Sequence, residues 1–270
     1  MRFLFLGDIV GRAGRDAVIK SIPNLRRALS LDLVIANAEN ASHGFGLSPP
    51  VATSLLECGL DVLTLGNHAW DQRALISHIN TEPRIIRPLN YPPGTPGQGF
   101  VLITLTDGRK VLVINIMGRL FMDPLDDPFR SINELLTKHR LGTTVQAIIV
   151  DIHAEATSEK WALGHMLDGR ISLAVGTHTH APTADYRILA KGTAFQTDVG
   201  MCGDYDSVIG MGKETAITRF TRKIPTERLH PAEGEATICG LLVETHTNGL
   251  AHRIAPLRLG GILDPSMPNF

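Results

Sequence analysis

The sequence predicts an α/β protein of the α+β kind, with two mixed β-sheets and helices outside them, as one domain over residues 1–270. Three observations predict it. Short apolar runs alternate with helix-like stretches over the first third of the chain, the pattern of βαβ units. The Asp107-Gly108 turn between two apolar runs then adds an antiparallel hairpin. The last third supplies further strand candidates, so parallel and antiparallel pairing must coexist.

The elements follow in order. Arg2–Leu6 is the first strand and stops at Gly7-Asp8. Ala13–Leu29 has helical composition, interrupted at Pro23, where a second helical turn is expected to start because proline lacks the N–H a helix interior needs. Leu31–Ala36 is a strand and Ala38–Leu47 a loop; Ser48-Pro49-Pro50 then gives an N-cap and first-turn prolines to a helix reaching Cys58. Leu60–Leu65 is the third strand, and Asp71–Ile79 a short helix that Trp70 begins. Ile85–Pro96 is punctuated by Pro88, Pro92, Pro93 and Pro96 and reads as a loop. Phe100–Thr106 and Lys110–Ile116 form the hairpin. Ala147–Val150 and Ile171–Val175 are strands around a helical stretch at Ser158–Leu167, and Arg187–Leu189, Thr193–Thr197, Thr237–Thr245 and Ala251–Leu257 complete the strands.

Composition narrows the function. The 26 Lys plus Arg nearly balance the 27 Asp plus Glu, so the chain lacks the electrostatic footprint of a binder of long nucleic acid. Cys58, Cys202 and Cys239 are odd in number and widely spaced, which suits neither a disulfide framework nor a cysteine zinc knuckle and fits a reducing cytoplasm. The apolar start MRFLFL ends at Gly7-Asp8, too early for a signal peptide, and no run approaches the roughly 18 apolar residues of a membrane span.

One strand after another ends in polar residues suited to metal: Gly7-Asp8, Ala38-Glu39-Asn40, Gly66-Asn67-His68, Asp151-Ile152-His153 and Gly176-Thr177-His178-Thr179-His180. Loops beyond the carboxyl ends of strands form the ligand crevice of open α/β sheets, so these residues are expected to converge. Each has a plain alternative: Asp8 capping the next helix, Glu39 pairing with an arginine, a lone histidine satisfied as a polar residue. Carboxylates, amide oxygens and imidazoles together suit iron, manganese or zinc better than magnesium or calcium. They are also too many for one ion, which points to a dinuclear site.

In order and spacing, these residues resemble the calcineurin-like metallophosphoesterases, whose blocks run D-x-H, GD, GNH, GH and GHTH. Two positions depart from that pattern: Val10 replaces a histidine ligand, and Glu39 with Asn40 replaces an aspartate. These departures, with the segment Thr197–Gly210, resemble the bacterial YmdB-like branch, which acts on 2′,3′-cyclic nucleotides. The resemblance implies the metallophosphatase fold, a four-layer α/β/β/α sandwich. It implies two divalent transition metal ions, iron first with manganese or zinc as alternatives. Asp8, Glu39, Asn40 and His180 would hold one ion and Glu39, Asn67, His153 and His178 the other, with Asn40 compensating for Val10. It further implies attack on phosphorus by a hydroxide bridging the metals, with His68 as proton donor. Self-association is implied as well.

Asp198–Gly210 reads as a loop, which the resemblance places near the substrate mouth. Asp198, Cys202 and Ser207 are therefore candidate substrate contacts, together with His43; Cys202 reads as a small buried residue and not as a nucleophile, and Arg12 is a weaker candidate. Gly7 to Gly14 spells G-x-x-x-G-x-x-G, not the dinucleotide fingerprint, and would set Asp8 against a pyrophosphate. Two competing readings share the metal site: a phosphomonoesterase or nucleotidase, and a metal-dependent nucleotide-binding regulator with little turnover.

Overall fold

In the computed structural model, which describes residues 1–270, the first apolar run forms β1 (Arg2–Leu6), and after Gly7 the chain adds the short β2 (Asp8–Ile9). Helix α1 (Gly11–Ala28) returns the chain, and β3 (Leu33–Asn37), β4 (Val62–Thr64) and β5 (Ile85–Ile86) line up in parallel beside β1. Helices α2 (Pro49–Glu57) and α3 (Ala74–His78) make the connections. A second sheet is built from β6 (Phe100–Thr104), β7 (Lys110–Met117), β8 (Ala147–His153), β9 (Leu173–Thr177), β10 (Arg187–Ile188) and β11 (Ala194–Gln196), with α4 (Pro128–Lys138) and α5 (Thr157–Leu167) between strands. Strands β12 (Met201–Asp204), β13 (Ala236–Thr245) and β14 (Ala251–Leu259) return to the first sheet, and α6 (Lys213–Arg222) precedes β13. The sheet orders are β2-β12-β13-β1-β3-β4-β5, with β14 on β13, and β10-β11-β9-β8-β7-β6.

Alternation along the strands sets the layers, because successive side chains point to opposite faces. Phe3, Phe5, Leu33, Ile35 and Val62 of the first sheet meet Val111, Val113, Ile149, Leu173 and Val175 of the second in one buried cluster. Their neighbours Leu4, Leu6 and Val34 turn outward onto Val18, Ile22 and Leu25 of α1 and Leu55 of α2. On the far side, Leu112, Ile114, Ile148 and Val150 pack on Ile132 and Leu136 of α4 and Leu163 and Leu167 of α5. The result is the expected α/β/β/α sandwich of two mixed sheets. No helix is long and apolar enough to cross a membrane.

Several expectations need correction. Helix α1 runs unbroken through Pro23. Proline in a helix interior costs about 3 kcal/mol, but Val18, Ile22 and Leu25 bind that face to the sheet on both sides of it. Ser48 sits at the start of α2 but makes no cap bond; Ser42 Oγ instead accepts its backbone N–H. The proline-rich segment after Ile85 is entered by a strand, since β5 pairs with β4. Trp70 lies outside the helix, which begins only at Ala74, and packs edge-on against Tyr91 with ring centroids 6.1 Å apart. The expected loop Asp198–Gly210 contains β12, buried throughout and inserted between β2 and β13.

Two glycines fix how closely the elements meet near the strand ends. A Cβ at Gly7 would overlap the carbonyl oxygen of Gly200, and one at Gly176 would overlap that of Thr197. Backbone lies on the other side in both places, so neither site can yield by rotating a side chain. Gly7→Ala and Gly176→Ala are each expected to destabilise the fold by about 1–3 kcal/mol, the usual cost of overpacking. Urea unfolding of the two variants checks this, and an unchanged midpoint in both would contradict the geometry.

Candidate metal centre

The carboxyl ends of β1, β3 and β4 in one sheet and of β8 and β9 in the other meet along one edge of the sandwich. Asp8 and His153 are fully buried there, Glu39 and Asn40 nearly so, and His180 is buried as well. Asp8 caps no helix, because the cap position of α1 is Val10 and makes no side-chain bond. Glu39 pairs with no arginine; its Oε1 lies 3.0 Å from His153 Nε2 and its Oε2 accepts the His68 N–H at 2.8 Å.

Nε2 of His153 is the focus of the arrangement. Besides Glu39 Oε1, it has Asn67 Oδ1 at 2.9 Å and His178 Nδ1 at 3.1 Å. A ring nitrogen carries at most one hydrogen, so it cannot satisfy three such partners. Lone pairs gathered this closely are what a cation would reconcile. Glu39, His153 and His178 indeed offer ligand atoms within 4.8 Å of one another, enough to hold a metal ion. Beside them, Asp8 Oδ1 lies 3.8 Å from His180 Nε2, and both Asp8 Oδ1 and Asn40 Oδ1 are buried without any hydrogen-bond partner. Buried polar atoms are normally paired. An orphaned Asp8 oxygen next to an imidazole thus starts a second group of donors that fits a cation, and Asn40 adds a further buried oxygen without a partner.

Charge follows the same logic. Burial disfavours a charged His153, but Glu39, Asp8 and Asp151 outweigh it and hold the imidazole's pKa up at about 9. Burial opposes ionisation of Glu39 too, yet His153 and His68 bring it down to about 2. His178, partly buried and beside the charged His153, falls to about 3. Without metal, then, one proton on His153 occupies the place of a positive ion.

Neighbouring groups fix each imidazole. Thr177 Oγ1 donates to Asp151 Oδ1 at 2.7 Å, so at His153 Nδ1, 2.9 Å away, it must accept. That leaves Nε2 as the inward nitrogen. Thr64 Oγ1 and Asn37 Nδ2 donate to the other Asp151 oxygen at 2.5 and 3.2 Å. His178 Nε2 faces Glu155 at 3.1 Å, leaving Nδ1 inward, and His180 Nδ1 donates to the Ile209 carbonyl at 2.8 Å, leaving Nε2 inward. Both lie in left-handed backbone, with φ of 93° and 65°, a strained conformation for a side-chain-bearing residue. Such partners orient ligating histidines in metal proteins.

His68 stands apart from this cluster: its Nδ1 lies 2.8 Å from Asp71 Oδ2 and Phe45 packs edge-on against it, while Nε2 has no protein partner. The remaining candidates do not gather at the site. His43 is exposed in left-handed backbone, and Arg12 is tied to Asp16 on the outer face of α1. Cys202 is fully buried on β12, its Sγ donating to the Cys239 carbonyl, and Ser207 Oγ is engaged with the Asp204 carbonyl. Asp198 is fully buried too, so none of these three presents a free polar atom to a substrate mouth. The loop expected there contains the buried strand β12.

Asp198 has a different partner, absent from the sequence reading. Lys160 of α5, with no exposed surface, places Nζ 2.8 Å from Asp198 Oδ2 and 2.7 Å from the Thr177 carbonyl. The same carboxylate accepts the Thr179 N–H at 3.1 Å and its hydroxyl at 2.7 Å. Lys160 and Asp198 thus clamp the Thr177-His178-Thr179 segment. A single lysine in a helix gives no such signal until the fold sets it opposite a buried carboxylate. Removing one member of a buried pair typically costs about 3–5 kcal/mol, so Lys160→Met is expected to lose that much in urea unfolding, and Lys160→Met/Asp198→Asn to regain part of it. Equal stability of Lys160→Met and wild type would refute the clamp.

The family model described as "YmdB-like protein" matches residues 4–257. Among curated proteins, the chain is 47% identical over 244 residues to the 2′,3′-cyclic-nucleotide 2′-phosphodiesterase of Bacillus subtilis (strain 168), covering 90% of this chain and 91% of that one. Among solved structures, it superposes with TM-score 0.91 and 44% identity on a hypothetical protein of Thermus thermophilus, over 97% of this chain and 100% of that one. A phosphatase of Mycoplasma pneumoniae gives TM-score 0.89 at 35% identity, over 96% and 93%. A sandwich whose two sheets end together in this polar cluster, matched along nearly its whole length, therefore belongs to the YmdB-like family.

Proposed function

We propose that the protein is a dinuclear-metal phosphodiesterase that hydrolyses 2′,3′-cyclic nucleotides. The observation that carries this reading is the meeting of Glu39, Asn67 and His178 at His153 Nε2, together with buried oxygens of Asp8 and Asn40 that have no partner. The Bacillus subtilis relative, named for this activity, supports the choice of substrate. Asp8, Glu39, Asn40 and His180 would hold one divalent ion, and Glu39, Asn67, His153 and His178 the other. Iron is the first candidate, with manganese and zinc as alternatives, because the donors mix imidazole, carboxylate and amide oxygen. When bound, such ions supply Lewis acidity toward the phosphate oxygens and lower the pKa of a water.

The chain's own residues do the rest. Glu39, a member of both proposed ligand sets, has Oε1 at His153 and Oε2 fixed by the His68 N–H. The Asp151-Thr177 relay presents the lone pair of His153 inward. His68 is the proton donor to the departing ribose oxygen: Asp71 holds Nδ1, so Nε2 is the nitrogen left to carry and release a proton. Self-association belongs to the same proposal; Ile217 and Phe220 of α6 lie exposed and offer apolar surface for it.

A substrate panel on metal-loaded protein tests the assignment. Hydrolysis of a 2′,3′-cyclic nucleotide above an Asp8→Ala control is expected, with a 5′-nucleotide much poorer. Preference for the 5′-nucleotide would instead make the protein a nucleotidase, and binding without turnover would make it a regulator. His68→Ala is expected to keep its metal by elemental analysis while kcat falls about 10²–10⁴-fold, the usual contribution of a general acid. Asp71→Asn is expected to fall in between. Wild-type kcat in His68→Ala would remove His68 from the mechanism.

Metal uptake is expected to depend on pH in a definite direction. His153 holds a proton up to about pH 9 in the metal-free protein, and a cation must displace it. Affinity should therefore weaken about tenfold for each unit by which pH falls below that value and level off above it. Calorimetric titration at pH 7 in two buffers of different ionisation enthalpy should show about one proton released per protein on this account. Zero proton release at pH 7 would contradict it.

A further inference from the structure

Strand β7 ends at Met117 beside His153, and from there the segment Gly118–Asp127 crosses to the cap of α4 without regular structure. Its root is firmly held. The Gly118 N–H donates to the His153 carbonyl at 3.0 Å, and the N–H groups of Arg119 and Leu120 donate to the buried Glu159 carboxylate at 3.0 and 3.2 Å. Gly118 is required there, because a Cβ would collide with Glu159 and Ala154.

The residue that follows this anchored root is the most exposed large apolar side chain of the protein. Phe121 is 90% exposed and has a left-handed φ of 63°, a backbone state that an aromatic residue adopts only against its preference. Strain of this kind tends to collect at functional sites. The position of Phe121 gives it meaning: it lines a cavity of about 400 Å³ with Met122 and Asp123 on its own segment and Asn67 and His178 of the metal centre. That volume lies in the range of small-molecule sites. A phosphodiester bound at the metal donors has no use for an aromatic wall. A nucleoside attached to it does, because every base has a π-face that stacks on a phenyl ring.

We propose that Phe121 is the stacking platform for the nucleobase of the substrate, held out over the metal centre by the Glu159-anchored root of its segment. This rests on the reading of the site as a cyclic-nucleotide phosphodiesterase. Because stacking accepts any base, Phe121 separates nucleotides from other cyclic phosphates and does not select one base over another.

The test compares kcat/KM for adenosine 2′,3′-cyclic phosphate with that for ribose 2′,3′-cyclic phosphate, which lacks a base, in wild type, Phe121→Ala and Phe121→Tyr. In Phe121→Ala the ratio of the two is expected to drop about tenfold or more, mainly through KM, and Phe121→Tyr is expected to restore it. As a measurement independent of turnover, Phe121→Trp fluorescence should be quenched by adenosine 2′-monophosphate beyond any effect on the wild type. An unchanged ratio overturns the proposal while leaving the phosphodiesterase reading intact, as does a Phe121→Ala variant altered only in its sedimentation. If wild type hydrolyses neither substrate, the functional reading fails, and the quenching alone then decides for or against base binding.

Discussion

Buried negative charge is the constraint around which this molecule is arranged. Asp8, Glu39, Asp151 and Asp198 are all withdrawn from water near the shared edge of the two sheets. A carboxylate in such a place must be paired, hydrogen-bonded or protonated. The protein uses the first two answers: Lys160 for Asp198, hydroxyl and amide donors for Asp151, whose pKa burial raises to about 6, and the charged His153 for Glu39. Asp8 receives only a long N–H contact from His178 on one oxygen and nothing on the other. Its unmet demand, with that of Asn40, is what distinguishes a site prepared for cations from a polar core that is complete by itself.

The sandwich serves this edge. Neither sheet alone brings enough donors together: Asp8, Glu39, Asn40 and Asn67 come from the first, His153, His178 and His180 from the second. The apolar cluster between the sheets, with Phe3, Phe5, Val113 and Val175, fixes their separation and therefore the distances at the edge. Gly7 and Gly176 permit the close backbone approach just beneath it.

Much of this was legible in the sequence because strand ends are legible. Gly-Asp, Glu-Asn, Gly-Asn-His and Thr-His-Thr-His each stand where an apolar run stops, and the parallel arrangement of those runs brings them to the same edge. Residues that act through tertiary neighbours were not legible. Lys160 and Glu159 look like ordinary polar positions of a helix until α5 packs and turns them onto buried partners. Asp71 stood in plain view three residues after His68, but its role depends on the turn between them. The segment after Asp198 misled for the opposite reason. Its Gly, Asp and Ser content resembles a loop, yet burial between β2 and β13 makes Met201–Asp204 a strand, since pairing on both sides outweighs weak β-propensity. Helix α4 was missed from the sequence, although Asp127 followed by Pro128 is a start signal and Asp127 caps the N–H groups of Phe129 and Arg130.

The placement of β1 carries a consequence for how the protein comes into being. This first strand lies between β3 on one side and β13 on the other, so Phe3 is opposite Val243 and Leu6 opposite Gly240. During synthesis β1 and Asp8 emerge more than two hundred residues ahead of β13, the strand that closes the sheet beside them. The half-built sheet therefore presents an open apolar edge until β13 has emerged, a state prone to wrong association. The polar cluster is likewise completed late, because His180 and β12, which pairs with Asp8, follow the other donors in the chain.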